Sequence, residues 1–178
     1  MPRYFAFLRA VNVGGHVVRM EQLRDLFTEL GFSGVETFIA SGNVIFQSKS
    51  VKAAELEKRI QKQLAAKLGY EVATFLRTGE ELSALARLQP FDESKVKTSG
   101  AYCVGFIGQP LQRAASEILK TLETDVDAFH TNGREIYWLC QNKQSESKIT
   151  NGLLERKLKV PMTFRSTTTI AKIVQKYK

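Results

Sequence analysis

The sequence predicts an α+β protein built from two ferredoxin-like (βαββα) halves, in which helices pack on sheets of the α/β-plait type. Apolar, strand-like runs alternate with stretches of helical periodicity, and the order β-α-β-β-α occurs twice along the chain. In the first half a further strand completes the βαββαβ order of the ferredoxin-like motif. We expect residues 1–77 to form the first half and residues 78–178 the second, together burying one continuous core in one compact unit.

The first half opens with an apolar run, Tyr4 to Val11, which contains a single charged residue and predicts a central strand. Helically spaced apolar residues then predict a helix that stops at Gly31, because glycine tolerates the left-handed backbone that follows a helix end. Residues 35–40 and 44–47 predict two strands, and the tight turn Ser41-Gly42-Asn43 joins them.

A long helix and a fourth strand complete the first half. Ser50 is expected to cap this helix, Gly69 to end it, and residues 72–76 to form the strand. Beyond the strand, Thr78 and Glu81 have the spacing of a capping box, in which each side chain accepts a hydrogen bond from the backbone N–H of the other residue. A connecting helix is therefore predicted to begin there.

The second half repeats this order with weaker signals. Residues 91–99 are polar and predict a loop. Asn132-Gly133 separates two strand-like runs and predicts a hairpin with a type I′ turn, because that turn needs two residues that tolerate positive φ. The other predicted elements are a strand at 101–107, a helix from Pro110, a helix at 145–158 and a last helix that includes 170–177.

The composition is that of a globular protein, but the charge is unevenly distributed. Of 178 residues, 43% are apolar and 25% are charged, so the chain can bury a sizeable core. The formal net charge is +8, and residues 143–178 contribute nine Lys or Arg against two Asp or Glu. This basic segment is either a solvated helix face or a surface for an anionic partner, which as nucleic acid would bind weakly and without sequence preference.

The residue types argue against several classes of protein. Cys103 and Cys140 lie in apolar strands, and His16 and His130 are the only histidines, so no ligand set at metal spacing exists. The glycine motifs of nucleotide-binding proteins and the serine-nucleophile elbow are absent, and we expect no metal and no cofactor. Without a secretory signal or a membrane-length apolar run, we expect a cytoplasmic protein with free, buried thiols and no membrane partner.

Two stretches of the first half carry a family resemblance. Phe7-Leu8-Arg9-Ala10-Val11-Asn12-Val13-Gly14-Gly15 is similar to a motif that reads leucine-arginine-glycine-isoleucine-asparagine-valine-glycine-glycine. Thr37-Phe38-Ile39-Ala40-Ser41-Gly42-Asn43-Val44-Ile45-Phe46 is similar to the second motif of the same family. The chain thus resembles the bacterial family catalogued as domain of unknown function 1697, which implies a stand-alone cytosolic α+β protein with no established activity.

The chain departs from the pattern of that family in two places. Ala10 stands where the family usually has glycine. Near its C-terminus the family tends to carry arginine-asparagine-tryptophan and then a threonine, whereas this chain has Arg165-Ser166-Thr167-Thr168-Thr169. If this segment forms part of a family site, the site is altered here, although it keeps Arg165.

The candidate site consists of the glycine loop, defined here as Arg9 to Gly15, and the turn Ser41-Gly42-Asn43. Backbone N–H groups of glycine-rich loops bind anions, and an arginine adds a permanent, forked positive charge. An enzyme acting on a phosphorylated or carboxylated small molecule at the same loops is the alternative, and the sequence assigns it no catalytic residue. The residues expected to bind a small anionic ligand are Arg9, Asn12, Gly14, Gly15, Ser41, Gly42, Asn43 and Arg165.

Each of these residues also has a structural interpretation. The glycines would make turns, Asn43 would occupy a left-handed turn position, and Arg9 would pair with a protein carboxylate instead of a ligand. Residue spacing alone leaves open whether the two loops meet in space.

Overall fold

The computed structural model describes residues 1–12, 14–39 and 42–178, and within them it has eight β-strands and seven α-helices. The strands form two four-stranded antiparallel sheets packed with helices, which confirms the predicted α+β fold. The chain divides into two compact units, residues 1–83 with 177–178 and residues 84–176. Each sheet is built from a βαββαβ order of elements, as in the ferredoxin-like motif.

In the first sheet, the outer strands are the second and the fourth of the chain. The elements are β1 (Arg3–Leu8), α1 (Met20–Glu29), β2 (Ser33–Thr37), β3 (Asn43–Gln47), α2 (Ala53–Leu68) and β4 (Thr74–Thr78). The strand order is β2-β3-β1-β4, and every neighbouring pair is antiparallel. The C-terminal end of β1 therefore lies beside the N-terminal end of β3, with Phe7 opposite Asn43.

The second sheet has the equivalent order, β6-β7-β5-β8, and is also antiparallel throughout. A helix that follows β4, α3 (Gly79–Arg87), leads to it. Its other elements are α4 (Glu93–Thr98), β5 (Ala101–Phe106), α5 (Arg113–Thr121), β6 (Asp127–Asn132), β7 (Glu135–Cys140), a 3₁₀ turn (Gln144–Glu146), α6 (Asn151–Leu158), β8 (Thr163–Ser166) and α7 (Thr167–Lys176).

Aromatic residues fill the core on the helix-covered face of each sheet. In the first unit the rings of Phe32 and Phe46 stack with their centroids 4.3 Å apart. In the second unit the indole of Trp138 contacts Phe129 at 5.9 Å and Phe164 at 5.6 Å. Burial of such large side chains is the dominant favourable contribution to folding, so each sheet has a substantial core of its own.

In both units a glutamate of the second sheet-packed helix bonds to the backbone of the last strand, or of the residue just before it, at the edge of the sheet. Glu57 of α2 accepts a hydrogen bond at 2.8 Å from the backbone N of Leu76 in β4. Glu155 of α6 accepts the equivalent bond at 2.9 Å from the backbone N of Met162, just before β8. Edge strands present unpaired backbone groups, and these carboxylates satisfy one such donor in each sheet.

Two elements of the second half differ from the sequence prediction. Residues 91–99, predicted as a loop, contain α4, which has Val96 as its one apolar residue and no fully buried residue, and therefore gives no hydrophobic period. Strand β8 was not predicted at all, because it has only four residues and includes the charged Arg165. The predicted helix at 145–158 is confined to α6, with Thr150 as its N-cap, accepting from the backbone N of Leu153.

The hairpin between β6 and β7 forms one residue later than predicted. Asn132 pairs with Glu135, so the two loop residues are Gly133 and Arg134. Gly133 has a φ of 56°, whereas Arg134 is not among the residues with positive φ. Only the first of the two loop residues, Gly133, therefore has a left-handed backbone. This fits a type II′ turn and not the predicted type I′ turn.

The last two residues of the chain belong to the first unit. The ring of Tyr177 meets Phe5 edge-on at 5.8 Å, and its hydroxyl donates to Glu36 Oε2 at 2.8 Å. Arg3 Nη1 donates to the carbonyl oxygen of Tyr177 at 3.1 Å, and the guanidinium lies 5.5 Å from the ring centroid. Tyr177 is thereby fixed to the first unit through β1 and β2.

Candidate functional site

The glycine loop meets the turn that contains Gly42 and joins β2 to β3, named the β2–β3 turn, at the C-terminal end of β1. The backbone N of Leu8 donates to the carbonyl oxygen of Gly42 at 2.9 Å. A Cβ atom on Gly42 would lie 3.1 Å from Val11 Cγ2 and 3.2 Å from Leu8 Cβ, so glycine permits this close approach. The antiparallel pairing of β1 with β3 is the physical reason that the two predicted loops converge.

Two asparagines of the candidate site stabilise the loops in which they lie. Asn12 Oδ1 accepts a hydrogen bond at 2.7 Å from the backbone N of Val18, which closes the loop between β1 and α1. Asn43 is buried, and its Nδ2 donates to the carbonyl oxygen of Phe38 at 2.9 Å. The backbone N of Phe38 donates in return to the carbonyl oxygen of Asn43 at 3.0 Å. These bonds give both residues a structural role, while Ser41 lies outside the described residues.

Left-handed backbone is concentrated in these two loops. Gly14, Gly15 and Gly42 have φ values of 67°, 85° and 74°. Ala10 and Ile39 have φ values of 55° and 58°, and they are two of the three non-glycine residues with positive φ in the described part of the chain. Such a conformation is costly for an alanine and more so for a β-branched isoleucine, and strain of this kind clusters at functional sites.

We expect Ala10→Gly to stabilise the protein by roughly 0.5–1 kcal/mol. A left-handed backbone costs an L-residue about 1–2 kcal/mol, and the greater flexibility of glycine in the unfolded chain offsets part of the gain. Urea unfolding measures the difference. The control Ala66→Gly, on the exposed side of α2, should instead lose about 1 kcal/mol, and equal losses for both variants would contradict the strain at Ala10.

Arg9, the first residue of the glycine loop, is half-buried and lies beside the start of β4. Its backbone N donates to the carbonyl oxygen of Ala73 at 2.9 Å, which fixes its position at the end of the sheet. Arg9 also has interactions within the chain, so it is not an unpaired charge awaiting a ligand. A ligand would therefore share this guanidinium with groups of the protein.

Arg165 lies in the second unit, on β8, and its side chain bonds to its own strand. Its Nη1 donates to Thr163 Oγ1 at 2.7 Å and to the carbonyl oxygen of Phe164 at 2.8 Å. Burial lowers the pKa of Arg165 to about 10, because the protein interior disfavours the charged form. Arg165 is thus a buried residue of the second sheet, whereas the glycine loop belongs to the first unit.

The structure adds three residues that the sequence prediction of the site did not include. His16 stacks on Tyr70 with the ring centroids 3.9 Å apart, and the Tyr70 hydroxyl donates to the carbonyl oxygen of Val11 at 3.1 Å. Arg24 of α1 donates from Nη1 to Thr37 Oγ1 at 2.9 Å, at the end of β2. Tyr70 and Arg24 come from other elements, so no local spacing could connect them with the loops.

Both cysteines are free and buried on the second sheet, where Cys103 lies opposite Trp138 and Cys140 opposite Ala101. Burial raises the pKa of the Cys103 thiol to about 11, and it also raises the pKa of Cys140. The thiolate is the reactive form, so neither residue is suited to nucleophilic chemistry at neutral pH.

We expect the stability of the protein to fall as the pH rises from about 9, the ordinary thiol pKa, through about 11, the pKa of folded Cys103. In this window the unfolded chain loses the proton before the folded chain does, which favours unfolding. Unfolding free energies of wild type and Cys103→Ala across pH 8–11 measure the effect, and the variant should show a shallower decline. Rapid labelling of Cys103 in the native protein at pH 8 would contradict its burial.

In the part of the chain that the structure describes, no group of three His, Cys, Asp or Glu side chains is placed to bind a metal ion. Among the same residues, no helix combines the length and the apolar character needed to cross a bilayer.

The fold and the converging loops define an α+β protein with two ferredoxin-like units, the first of which carries the candidate site. This chain belongs to the family described as "Protein of unknown function (DUF1697)", whose sequence pattern matches residues 1–137. The match includes the glycine loop and the β2–β3 turn, while β8 and Arg165 lie beyond it.

One solved structure extends this similarity to the whole chain. The conserved bacterial protein SP0830 from Streptococcus pneumoniae is 28% identical in sequence, with a TM-score of 0.78. The similarity covers 99% of this chain and 99% of that one. No curated protein matches the sequence.

Proposed function

We propose that the protein binds a small anionic or phosphorylated ligand at the glycine loop and the β2–β3 turn. The observation that carries this proposal is the convergence of the two loops, through the 2.9 Å bond from Leu8 N to Gly42 O, with left-handed backbone at Ala10, Gly14, Gly15, Ile39 and Gly42. The buried free thiols, and the bacterial source of the similar solved structure, support the further proposal that the protein works in a bacterial cytoplasm.

The chemistry of the loops suits an anion. Gly14 and Gly15 are exposed, and no atom lies within 4 Å of the position that a Cβ would take on either residue. Successive backbone N–H groups of a turn can form a concave site for negative charge, and glycines leave these groups accessible. Arg9, at the start of the same loop, adds a formal positive charge that a phosphate or carboxylate would share.

An enzyme at the same loops is the second candidate function. It is favoured by His16, which directly follows the glycine loop and is positioned by its stacking on Tyr70. A histidine near a bound phosphate could transfer a proton, although this requires a substrate placed within hydrogen-bond distance. Turnover of a phosphorylated or carboxylated substrate would distinguish this function from binding alone.

Weak nucleic-acid binding through residues 143–178 is the third and least favoured function. The structure reduces its basis, since Arg165, one of the nine basic residues of this segment, is buried. Binding by the remaining charges would be insensitive to sequence and would fall steeply with salt.

We expect phosphate to raise the melting temperature of the wild type and to have little effect on Arg9→Ala or Gly15→Ala. A ligand at about a hundred times its Kd adds roughly 2.7 kcal/mol of stability, which a thermal-shift assay detects readily. The measured quantity is the increment caused by phosphate at constant ionic strength. The interactions that Arg9 makes within the chain affect the melting temperature without phosphate, but this value is subtracted when the increment is calculated.

The matched control is Gly69→Ala, at the end of α2. Gly69 has a φ of 82° and Gly15 a φ of 85°, and neither has an atom within 4 Å of its Cβ position. Both alanine variants should lose similar stability from backbone strain, but Gly69→Ala should keep the full phosphate increment. An unchanged increment in Arg9→Ala and Gly15→Ala, or no increment in the wild type, would refute the proposed site.

A further inference from the structure

The second unit contains a cavity that the proposed anion site does not use. It has a volume of about 190 Å³, and all its lining residues lie between Leu85 and Ala171. Its wall combines aliphatic side chains from α3, β5 and α7 with the rings of Phe91, Tyr102 and Tyr137. For comparison, an apolar cavity of about 150 Å³ is large enough to bind benzene.

The aromatic wall of this cavity is fixed by contacts within the protein. Phe91 meets Tyr102 edge-on, with ring centroids 5.7 Å apart and planes at 73°. The hydroxyl of the buried Tyr137 donates to the carbonyl oxygen of Leu85 at 3.0 Å, which sets the orientation of that ring. Gln89, Glu93 and Thr167 add polar groups to this largely aliphatic and aromatic lining. A preformed cavity of this kind loses little conformational freedom when a ligand enters.

A second, more open cavity of about 410 Å³ adjoins the first, and the two share Val96, Tyr102 and Thr167. The polar side chains that line this outer cavity include those of Ser99, Gln144, Ser166 and Thr168. The two cavities together thus present an aromatic compartment next to one rich in hydrogen-bonding groups.

The charges around these cavities differ from those of the glycine loop. Among the described lining residues of both cavities there is no Lys or Arg, and Glu93 is the one residue with a formal charge. Glu93 is itself ion-paired with Lys97 at 2.8 Å, so a ligand with a carboxylate or phosphate would find no unpaired cation among the lining residues. Because burying an unpaired negative charge is costly, the lining favours a neutral ligand over an anion.

We propose that the second unit binds a small neutral aromatic molecule, with its ring in the inner cavity and a hydrogen-bonding group in the outer one. Tyr102 lines both cavities. Its ring would therefore lie where the aromatic ring of the ligand joins its hydrogen-bonding group. This site is independent of the anion site, since it uses other residues and selects for the opposite property of the ligand.

Benzyl alcohol is the probe for this proposal, and backbone amide NMR shifts of the full chain report where it binds. We expect saturable shifts at Tyr102, Val104 and Ile170 in the wild type. Val96→Phe places a ring in the shared wall and should weaken binding by at least about tenfold, a loss of about 1.4 kcal/mol. The control Ser94→Phe adds the same ring to an exposed position of α4 that does not line the cavities, and it should bind as the wild type does.

Benzoate, which has a similar ring and a negative charge, should bind at least about tenfold more weakly than benzyl alcohol. The proposal is overturned if benzyl alcohol causes no saturable shifts at these residues, if Val96→Phe binds as tightly as the wild type, or if benzoate binds as well as benzyl alcohol. The cavities share no residue with the anion site, and phosphate should leave the amide shifts of Tyr102, Val104 and Ile170 unchanged. A negative result with benzyl alcohol therefore does not bear on the anion site.

Discussion

Gly100→Ala is expected to destabilise the second unit by about 3 kcal/mol or more. Gly100 directly precedes β5, and its backbone N donates to the carbonyl oxygens of Cys140 at 2.9 Å and Gln141 at 3.1 Å. A Cβ atom there would overlap the backbone carbonyl of Asn142 and lie 2.8 Å from Lys143 N. Because backbone atoms cannot rotate away as a side chain can, the end of β7 would have to move.

Two other glycines of the same unit provide the comparison. No atom lies within 4 Å of the Cβ position on Gly108, so Gly108→Ala should change stability by less than about 0.5 kcal/mol. At Gly105 the overlap is with the ring of Phe164, 2.6 Å away, and this side chain can turn at a smaller cost. In urea unfolding followed by Trp138 fluorescence, the loss of stability should be largest for Gly100→Ala, smaller for Gly105→Ala and smallest for Gly108→Ala. A loss at Gly100 no larger than at Gly108 would contradict the packing described here.

Asp127→Ala is expected to cost about 3 kcal/mol, because Asp127 is a buried carboxylate that several donors share. Its oxygens accept from Trp138 Nε1 at 2.9 Å, from Ser147 Oγ at 3.0 Å and from Thr124 Oγ1 at 2.9 Å. Asp127 is only 2% exposed, so its removal leaves buried donors without an acceptor. Each such group costs about 1–3 kcal/mol, with partial relief from hydroxyls that can rotate.

Trp138 is the single tryptophan of the chain, so its fluorescence reports directly on this network. The variant should show both a lower urea midpoint and an altered emission spectrum of the native state, since the indole N–H loses its partner. Asp125→Ala removes an exposed carboxylate two residues away and should change stability by less than about 0.5 kcal/mol. Similar losses for the two variants would show that the buried network contributes little.

The fold was largely predictable because its long elements have strong periodic signals. The helix that ends before Gly31, the helix that ends at Gly69 and the capping box of Thr78 with Glu81 are all present. Signals failed where an element is short or polar, as in β8 and α4. Ser50 was expected to cap α2, but its Oγ accepts from Lys52 N before the helix begins at Ala53. Several hydroxyls close to a helix start compete for such a role, and the sequence does not rank them.

The candidate site was predictable as two motifs but not as one place. The contact between Leu8 and Gly42 depends on the pairing of β1 with β3, which the order of elements along the chain does not by itself establish. The stacking of His16 on Tyr70 likewise joins residues from distant parts of the sequence. The left-handed backbone of Ala10 had one sequence signal, the glycine that the family usually has at that position. Positions that require positive φ favour glycine for steric reasons.

The return of Tyr177 to the first unit has a consequence for folding during synthesis. Its bonds to Arg3 and Glu36 span 174 and 141 residues of sequence. A ribosome makes the chain from its N-terminus at about 5–20 residues per second, so β1 and β2 are made roughly 7–35 seconds before the tyrosine that contacts them. While the second unit is being made, the first unit therefore lacks the contacts of Tyr177. Contacts of such high sequence separation form late, and Tyr177 should therefore slow unfolding more than it speeds folding.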